Sequence, residues 1–243
     1  MNVLLLAGSR EARQLASLLA AEPGVAMVAS LAGRTSKPLP YPCPVRTGGF
    51  GGIEGLVDHL QANMVDVLVD ATHAFARAMP GQAAEAARRA GVARLRLVRP
   101  EWERQPGDEW HDADDAVHAA QRLGELGVHR VLLTVGRFDL EPFAALDARF
   151  VVRTIEPPDP LPLPHAEVVR ALGPFTVADE VALLVDSAID ALVTKNAGGD
   201  DAKLVAARRG RVPVVMVRRP PAIPGPRAAT AEEALAWLRA LPA

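Results

Sequence analysis

The 243-residue sequence has one cysteine, Cys43, which excludes an internal disulfide framework and any cysteine-rich zinc site. Long apolar runs are missing as well. The run Val181–Val185 stops at Asp186, and no stretch approaches the roughly 18 apolar residues of a membrane span. Met1-Asn2-Val3-Leu4-Leu5-Leu6 has neither a basic leader nor a small-residue cleavage site, so it reads as a first strand rather than a signal peptide. Nor is there a basic surplus of the kind a nucleic-acid binder carries: 27 basic and 29 acidic side chains leave a net charge of −2. The balance is uneven, with 11 basic and 7 acidic side chains in residues 1–100 and 16 and 22 in residues 101–243. The dinucleotide fingerprint GxGxxG, the P-loop GxxxxGK[ST], the nucleophile elbow GxSxG and a helical His-x-Glu pair are all absent. These absences point to a cytoplasmic protein that binds neither nucleic acid nor membrane and holds no metal.

What is present is an alternation of short β-branched or Leu-rich runs with longer Ala/Leu/Arg stretches of helical period. That pattern predicts βα units around mainly parallel sheets. Strands are expected near residues 2–7, 25–31, 66–70, 93–98, 130–135, 149–155, 166–171, 190–195 and 213–218. Helices are expected near 10–21, 52–62, 76–90, 113–126, 174–187, 200–209 and 231–240. Asn63-Met64 and Gly91 suit helix ends, and Thr230 with Glu233 suits a capping box. Nine strands fit two sheets better than one, and Pro106-Gly107-Asp108 marks the break, giving lobes over 1–105 and 106–243. Five prolines in Pro157–Pro164 predict a stiff surface connection.

Open α/β sheets bind ligands where their strands end at the carboxyl side, so the loops there carry the information. After the first strand comes Ala7-Gly8-Ser9-Arg10-Glu11, with one glycine before a helix. Free N–H groups at that helix start suit a phosphate, and a tight turn capped by Ser9 is the alternative. After the second strand comes Gly33-Arg34-Thr35-Ser36-Lys37, in a stretch with no acid between Glu22 and Glu54. An acid there would grip the ribose of NAD, whereas an Arg accommodates the 2′-phosphate of NADP. Gly48-Gly49-Phe50-Gly51-Gly52 lets backbone approach a ligand beside a flat apolar face. Asp70-Ala71-Thr72-His73 ends the apolar strand Asp66–Val69, where polar side chains would face the crevice together with the next helix N-terminus. Later strand ends carry Arg99-Pro100-Glu101-Trp102, Gly136-Arg137, Lys195-Asn196-Ala197-Gly198-Gly199 with Lys203, and Arg218-Arg219-Pro220. Two of the chain's three lysines flank one glycine loop, which suits an anion. His111 and His118 stand near Asp112, Asp114 and Asp115 and read as the capped, solvated start of a helix rather than a metal site.

Together these loops resemble the precorrin-6A reductase family of cobalamin (vitamin B12) biosynthesis, along essentially the whole chain. The combination of Asp70-Ala71-Thr72-His73 with Lys195-Asn196-x-Gly198-Gly199 is specific. The family usually shows Gly-Gly-Thr or Gly-Thr where this chain has Ala7-Gly8-Ser9, proline where Ala74 stands and serine where Ala197 stands. The resemblance implies two Rossmann-like lobes, each a mainly parallel sheet flanked by helices, with a ligand cleft between them. It implies reduction of one double bond in the precorrin-6A macrocycle to give precorrin-6B, with NADPH as hydride donor. The expected NADPH contacts are Gly8, Ser9, Arg10, Gly33, Arg34, Thr35, Ser36, Gly49, Phe50, Gly51 and Thr72. Substrate carboxylates would meet Arg137, Lys195, Asn196, Gly198, Lys203 and Arg218, and His73 is the catalytic candidate, as site lining or proton donor. The expected partner is this small-molecule tetrapyrrole, with hand-over to neighbouring pathway enzymes. Two alternatives stay open: a cobalt-precorrin-6A reductase of the anaerobic route using NADH, and a non-catalytic NADP-binding regulatory protein.

Overall fold

A computed structural model describes residues 1–33 and 36–242. Its first sheet contains β1 (Asn2–Leu6), β2 (Ala26–Leu31), β3 (Val45–Thr47), β4 (Val67–Asp70), β5 (Ala93–Leu97) and β12 (Arg227–Ala228). They lie in the order β12-β5-β4-β1-β2-β3, with every pair parallel. The Leu run of β1 explains itself through this geometry. Leu5 faces a cluster with α1 (Arg10–Leu19) and α7 (Ala231–Arg239), while Leu4 and Leu6 face α2 (Gly52–Ala62) and α3 (Met79–Ala90). A strand covered on both faces needs apolar residues at consecutive positions, and each buried Leu contributes about 1.5–3 kcal/mol. On α1 the inward residues are Ala12, Leu15, Ala16 and Leu19, one stripe of helical period.

The second sheet contains β6 (Trp110–Ala113), β7 (Arg130–Leu133), β8 (Arg149–Thr154), β9 (Ala166–Arg170), β10 (Ala191–Lys195) and β11 (Val214–Val217), again all parallel. Their order is β6-β11-β10-β7-β8-β9. Helix α4 (Ala116–Leu126) packs on β6 and β11, whereas α5 (Val177–Asp186) and α6 (Ala202–Gly210) pack on each other. Leu184, Leu204 and Ala207 of that helix pair join Leu132, Leu192 and Met216 of the sheet in one core.

Each sheet has doubly wound order, yet its last edge strand comes from the other stretch of chain. Strand β6 follows β5 in sequence but pairs with β11, and β12 follows β11 but pairs with β5. The chain therefore divides into residues 1–100 with 220–243, and residues 101–219. The lobes expected over 1–105 and 106–243 differ from this at the C-terminal segment. Residues 220–243 return to the first unit because β12 extends its sheet and α7 buries Ala231, Ala234 and Leu238 in its core.

All nine expected strands and all seven expected helices are found, with ends displaced by a few residues. Strands β3, β6 and β12 are additional. The stretch Trp110–Ala113 is an edge strand rather than the approach to a helix, so His111 does not sit at a helix start. Asp115 does cap α4, accepting from the His118 N–H at 2.8 Å. The expected box at Thr230 is displaced by one residue: Thr230 caps Glu233, but the Glu233 carboxylate accepts from the Ala229 N–H. A full reciprocal box stands instead at Thr176 and Asp179. Among the described residues no helix is long and apolar enough to cross a membrane.

Candidate functional site

The order of the first sheet reverses between β1 and β4, so the loops after these strands flank the place where such sheets bind ligands. After β1, Gly8 adopts φ +146° and Ser9 caps α1 by accepting from the Ala12 N–H at 3.1 Å. Glu11 in the first helical turn would repel an anion, but Arg99 neutralises it at 3.1 Å. Arg10 is exposed beside it. Gly33 (φ +73°) and exposed Ser36 end the described parts of the second loop. Arg34 and Thr35 lie outside the described residues.

The glycine loop after β3 is held by Arg46. Its guanidinium donates to Ser30 Oγ at 2.7 Å, to the Gly48 carbonyl at 3.2 Å and to the Gly49 carbonyl at 2.9 Å. It also stacks 3.9 Å from the Phe50 ring centroid. His59 meets Phe50 edge-on from α2. Burial, followed by the Arg46 charge, holds the His59 pKa below its ordinary value. Gly55 completes the loop's support, since a Cβ there would stand 1.7 Å from the Phe50 carbonyl oxygen.

After β4 the expected cluster splits. Asp70 is fully buried and does not face a crevice, because its carboxylate belongs to Arg96 of β5 at 2.7 Å. Thr72 donates its hydroxyl to Asp70 Oδ1 at 2.7 Å, and His73 stays exposed. The ring Nδ1 of His73 accepts the Phe75 N–H at 3.2 Å, which leaves Nε2 to carry the proton of the neutral ring. Helix α3 begins only at Met79, so its N–H groups do not follow His73 directly as expected.

In the second sheet the order reverses between β7 and β10. Lys195 at the end of β10 pairs with Asp139 in the loop after β7, across that reversal. Arg137 pairs with Glu156 at 3.2 Å and lies 4.8 Å from the Phe138 ring. Arg137, Ile155, Glu156, Pro158, Leu161 and Arg170 line part of an open cavity of about 550 Å³. Asn196 and Gly198 are buried in the glycine loop, and Lys203 stands 5.5 Å over the Trp102 ring. Arg218 pairs with Asp112 at 3.0 Å and Asp114 at 3.4 Å, near the β6 edge. All four expected cations thus lie at or just beyond the carboxyl edge of this sheet, and Arg137, Lys195 and Arg218 are paired with acids. Among the described residues no group of three or more His, Cys, Asp or Glu side chains is placed to hold a metal.

Sequence reasoning did not single out Arg46, Arg96, Asp139 or Glu156. Arg46 immediately precedes Thr47 and the glycine loop, a position that could have drawn notice. The other three acquire meaning only through long-range pairing.

A family described as Precorrin-6x reductase CbiJ/CobK matches residues 2–239. A precorrin-6A reductase of Rhodococcus erythropolis is 48% identical over 246 residues, covering 99% of this chain and 98% of that protein. A solved structure described as CobK precorrin-6A reductase has a TM-score of 0.92 at 41% identity, over 98% of this chain and 96% of that one. A cobalt-precorrin-6A reductase of Methanothermobacter thermautotrophicus is 29% identical over 241 residues, 90% of this chain and 77% of that protein. The full-length match, on the doubly wound sheets and strand-end loops described above, makes this chain a member of the precorrin-6x reductase family.

Proposed function

We propose that this chain reduces one double bond of precorrin-6A to give precorrin-6B in cobalamin biosynthesis, using NADPH, in the cytoplasm. The observation that carries this reading is the match to precorrin-6A reductases over nearly the whole chain, far above the identity to the cobalt-precorrin relative. A regulatory protein that only senses nucleotide would not need the second strand-end site with its cations.

The first unit suits the nucleotide. A Cβ built on Gly8, Gly49 or Gly51 meets no atom within 4 Å, so the backbone there faces open space that a ligand can approach. Gly8, Ser9 and Arg10 would take the diphosphate, and Gly33, Arg34, Thr35 and Ser36 the 2′-phosphate. Phe50, backed by Arg46, and Gly49, Gly51 and Thr72 would line the remainder. When bound, NADPH supplies a hydride to one ring carbon; a proton at the neighbouring atom completes the two-electron reduction.

The second unit suits the macrocycle, whose acetate and propionate carboxylates call for charge-assisted donors. Arg137, Lys195, Lys203 and Arg218 supply these, with Asn196 and Gly198 shaping the loop. At Arg137, Lys195 and Arg218 an incoming carboxylate competes with a protein acid, so binding includes partner exchange. His73 fits a role as a neutral Nε2–H donor lining the site better than a role as an acid. Delivering a proton from Nε2 of the charged ring would leave the remaining proton on Nδ1, against the Phe75 N–H. Solvent then supplies the proton. The product is handed on to neighbouring pathway enzymes. NADPH consumption that depends on precorrin-6A tests this reading.

A further inference from the structure

We propose that Arg96 is a positioning residue for this reaction: it fixes the Thr72–His73 turn at the β1/β4 reversal and so sets the orientation and tautomer of His73. The proposal rests on the reading above, in which that turn meets the reacting ligands.

Arg96 is 7% exposed and lies in register with Asp70 across the parallel β4–β5 pair. A buried ion pair is weak evidence for stability, since apolar replacements of the same shape often serve as well. How the guanidinium is used is more informative. Nη1 donates to Asp70 Oδ1 at 2.7 Å, to the Asp70 carbonyl at 3.1 Å and to Thr72 Oγ1 at 3.0 Å. Nη2 donates to the His73 carbonyl at 3.3 Å. Asp70 Oδ2 is left buried without a hydrogen-bond partner.

A second deeply buried pair, Arg153 with Glu180, shows what a plain structural tie looks like here. Its two nitrogens meet the two carboxylate oxygens at 2.8 and 2.9 Å, joining β8 to α5. Arg96 forgoes that fork. Its donors instead follow one short stretch of backbone from residue 70 to residue 73, leaving half of its carboxylate partner unsatisfied. The hydroxyl of Thr72 is oriented by the same centre, accepting from Arg96 while donating to Asp70. The His73 carbonyl is fixed on its other side by the Ala76 N–H at 2.8 Å. With that backbone held, the Phe75 N–H is presented to Nδ1 and the ring proton stays on Nε2. Arg96 therefore acts through His73, without touching substrate.

Arg96→Lys tests this, because it keeps the charge beside Asp70 but cannot reach all four acceptors at once. The expected tautomer readout is by ¹⁵N NMR of the His73 ring in the whole, unliganded protein: mostly Nε2–H in the parent, mixed in the variant. The expected kinetic readout is a kcat at least threefold lower with KM and melting temperature close to the parent. In a His73→Ala background the same change should cost nothing further. An unchanged His73 tautomer, or a kcat loss undiminished in the His73→Ala background, would overturn the inference. Because the NMR readout needs no substrate, a tautomer shift in a protein that fails to reduce precorrin-6A would leave the positioning intact and reject the reaction instead.

Discussion

The side-chain amide of Asn196 brackets the backbone of Trp102, accepting from its N–H at 2.8 Å and donating to its carbonyl at 3.1 Å. The Asn196 carbonyl in turn accepts from Arg219 Nε at 2.7 Å, and Trp102 Nε1 donates to the Gly199 carbonyl at 2.9 Å. One residue at the end of β10 thus organises the segments on which the chain enters and leaves the second unit. Expected at first as a substrate contact, Asn196 has its side-chain amide engaged by the Trp102 backbone, over whose ring Lys203 stands. Asn196→Ala should cost about 1–3 kcal/mol in chemical denaturation, because it leaves the N–H and carbonyl of Trp102 without their partners. A loss below about 0.5 kcal/mol would show that water replaces the amide without penalty.

Gly55 and Gly81 both lie on helices of the first unit but answer differently to the same change. A Cβ at Gly55 would collide with the Phe50 carbonyl, whereas one at Gly81 meets nothing within 4 Å. Gly55→Ala should therefore lose about 1–3 kcal/mol by overpacking, and weaken NADPH binding through the displaced Phe50 loop. Gly81→Ala should gain up to about 1 kcal/mol from helix propensity and leave the cofactor affinity unchanged. Thermal melts with and without NADPH separate the two.

His59 gives the Phe50 loop a pH dependence. Burial and the nearby Arg46 hold its pKa below the ordinary 6.5, so the unfolded chain takes up a proton that the folded chain resists. Stability from this group is complete above pH 6.5 and declines as pH falls through the lowered native pKa. His59→Gln should flatten the stability curve on the acid side of 6.5, read from denaturation midpoints across that range. An unchanged acid slope would show that His59 does not set the loop's pH dependence.

Much of this was legible in the sequence, for a physical reason. Strands such as β1 and β4, covered on both faces, must be runs of apolar residues, and the loops after them carry the glycines and polar groups. Edge strands carry no such mark. Trp110-His111-Asp112-Ala113 pairs on one side only and tolerates the polarity that made it resemble a helix start. Two-residue β12 has no pattern at all, so the return of residues 220–243 to the first sheet could not be read locally. Arg94 and Arg96 alternate with Leu95 and Leu97 in β5, which reads as a half-solvated strand. The burial of Arg96 is decided by Asp70, 26 residues away. Likewise Arg137, Lys195 and Arg218 were legible as cations at strand ends, but their acids Glu156, Asp139 and Asp112 came from other loops or, for Asp112, from the edge strand β6.

Those pairs bear on the proposed substrate contacts. Arg137→Ala, Lys195→Ala and Lys203→Ala should each raise the KM for precorrin-6A and leave NADPH affinity within a few-fold. Removing the Asp139 charge with Asp139→Asn should lower that KM, since the substrate carboxylate then no longer competes with Asp139 for Lys195. Loss of NADPH binding in all three cation variants would exchange the roles of the two units.

The most direct test is NADPH oxidation at about 340 nm by the purified protein, with precorrin-6A present and absent. Oxidation is expected only when the tetrapyrrole is present, with a product two hydrogens heavier. NADPH should be preferred over NADH by about 2–4 kcal/mol, a preference that Arg34→Ala largely erases. No substrate-dependent oxidation, or faster turnover of cobalt-precorrin-6A with NADH, would contradict it.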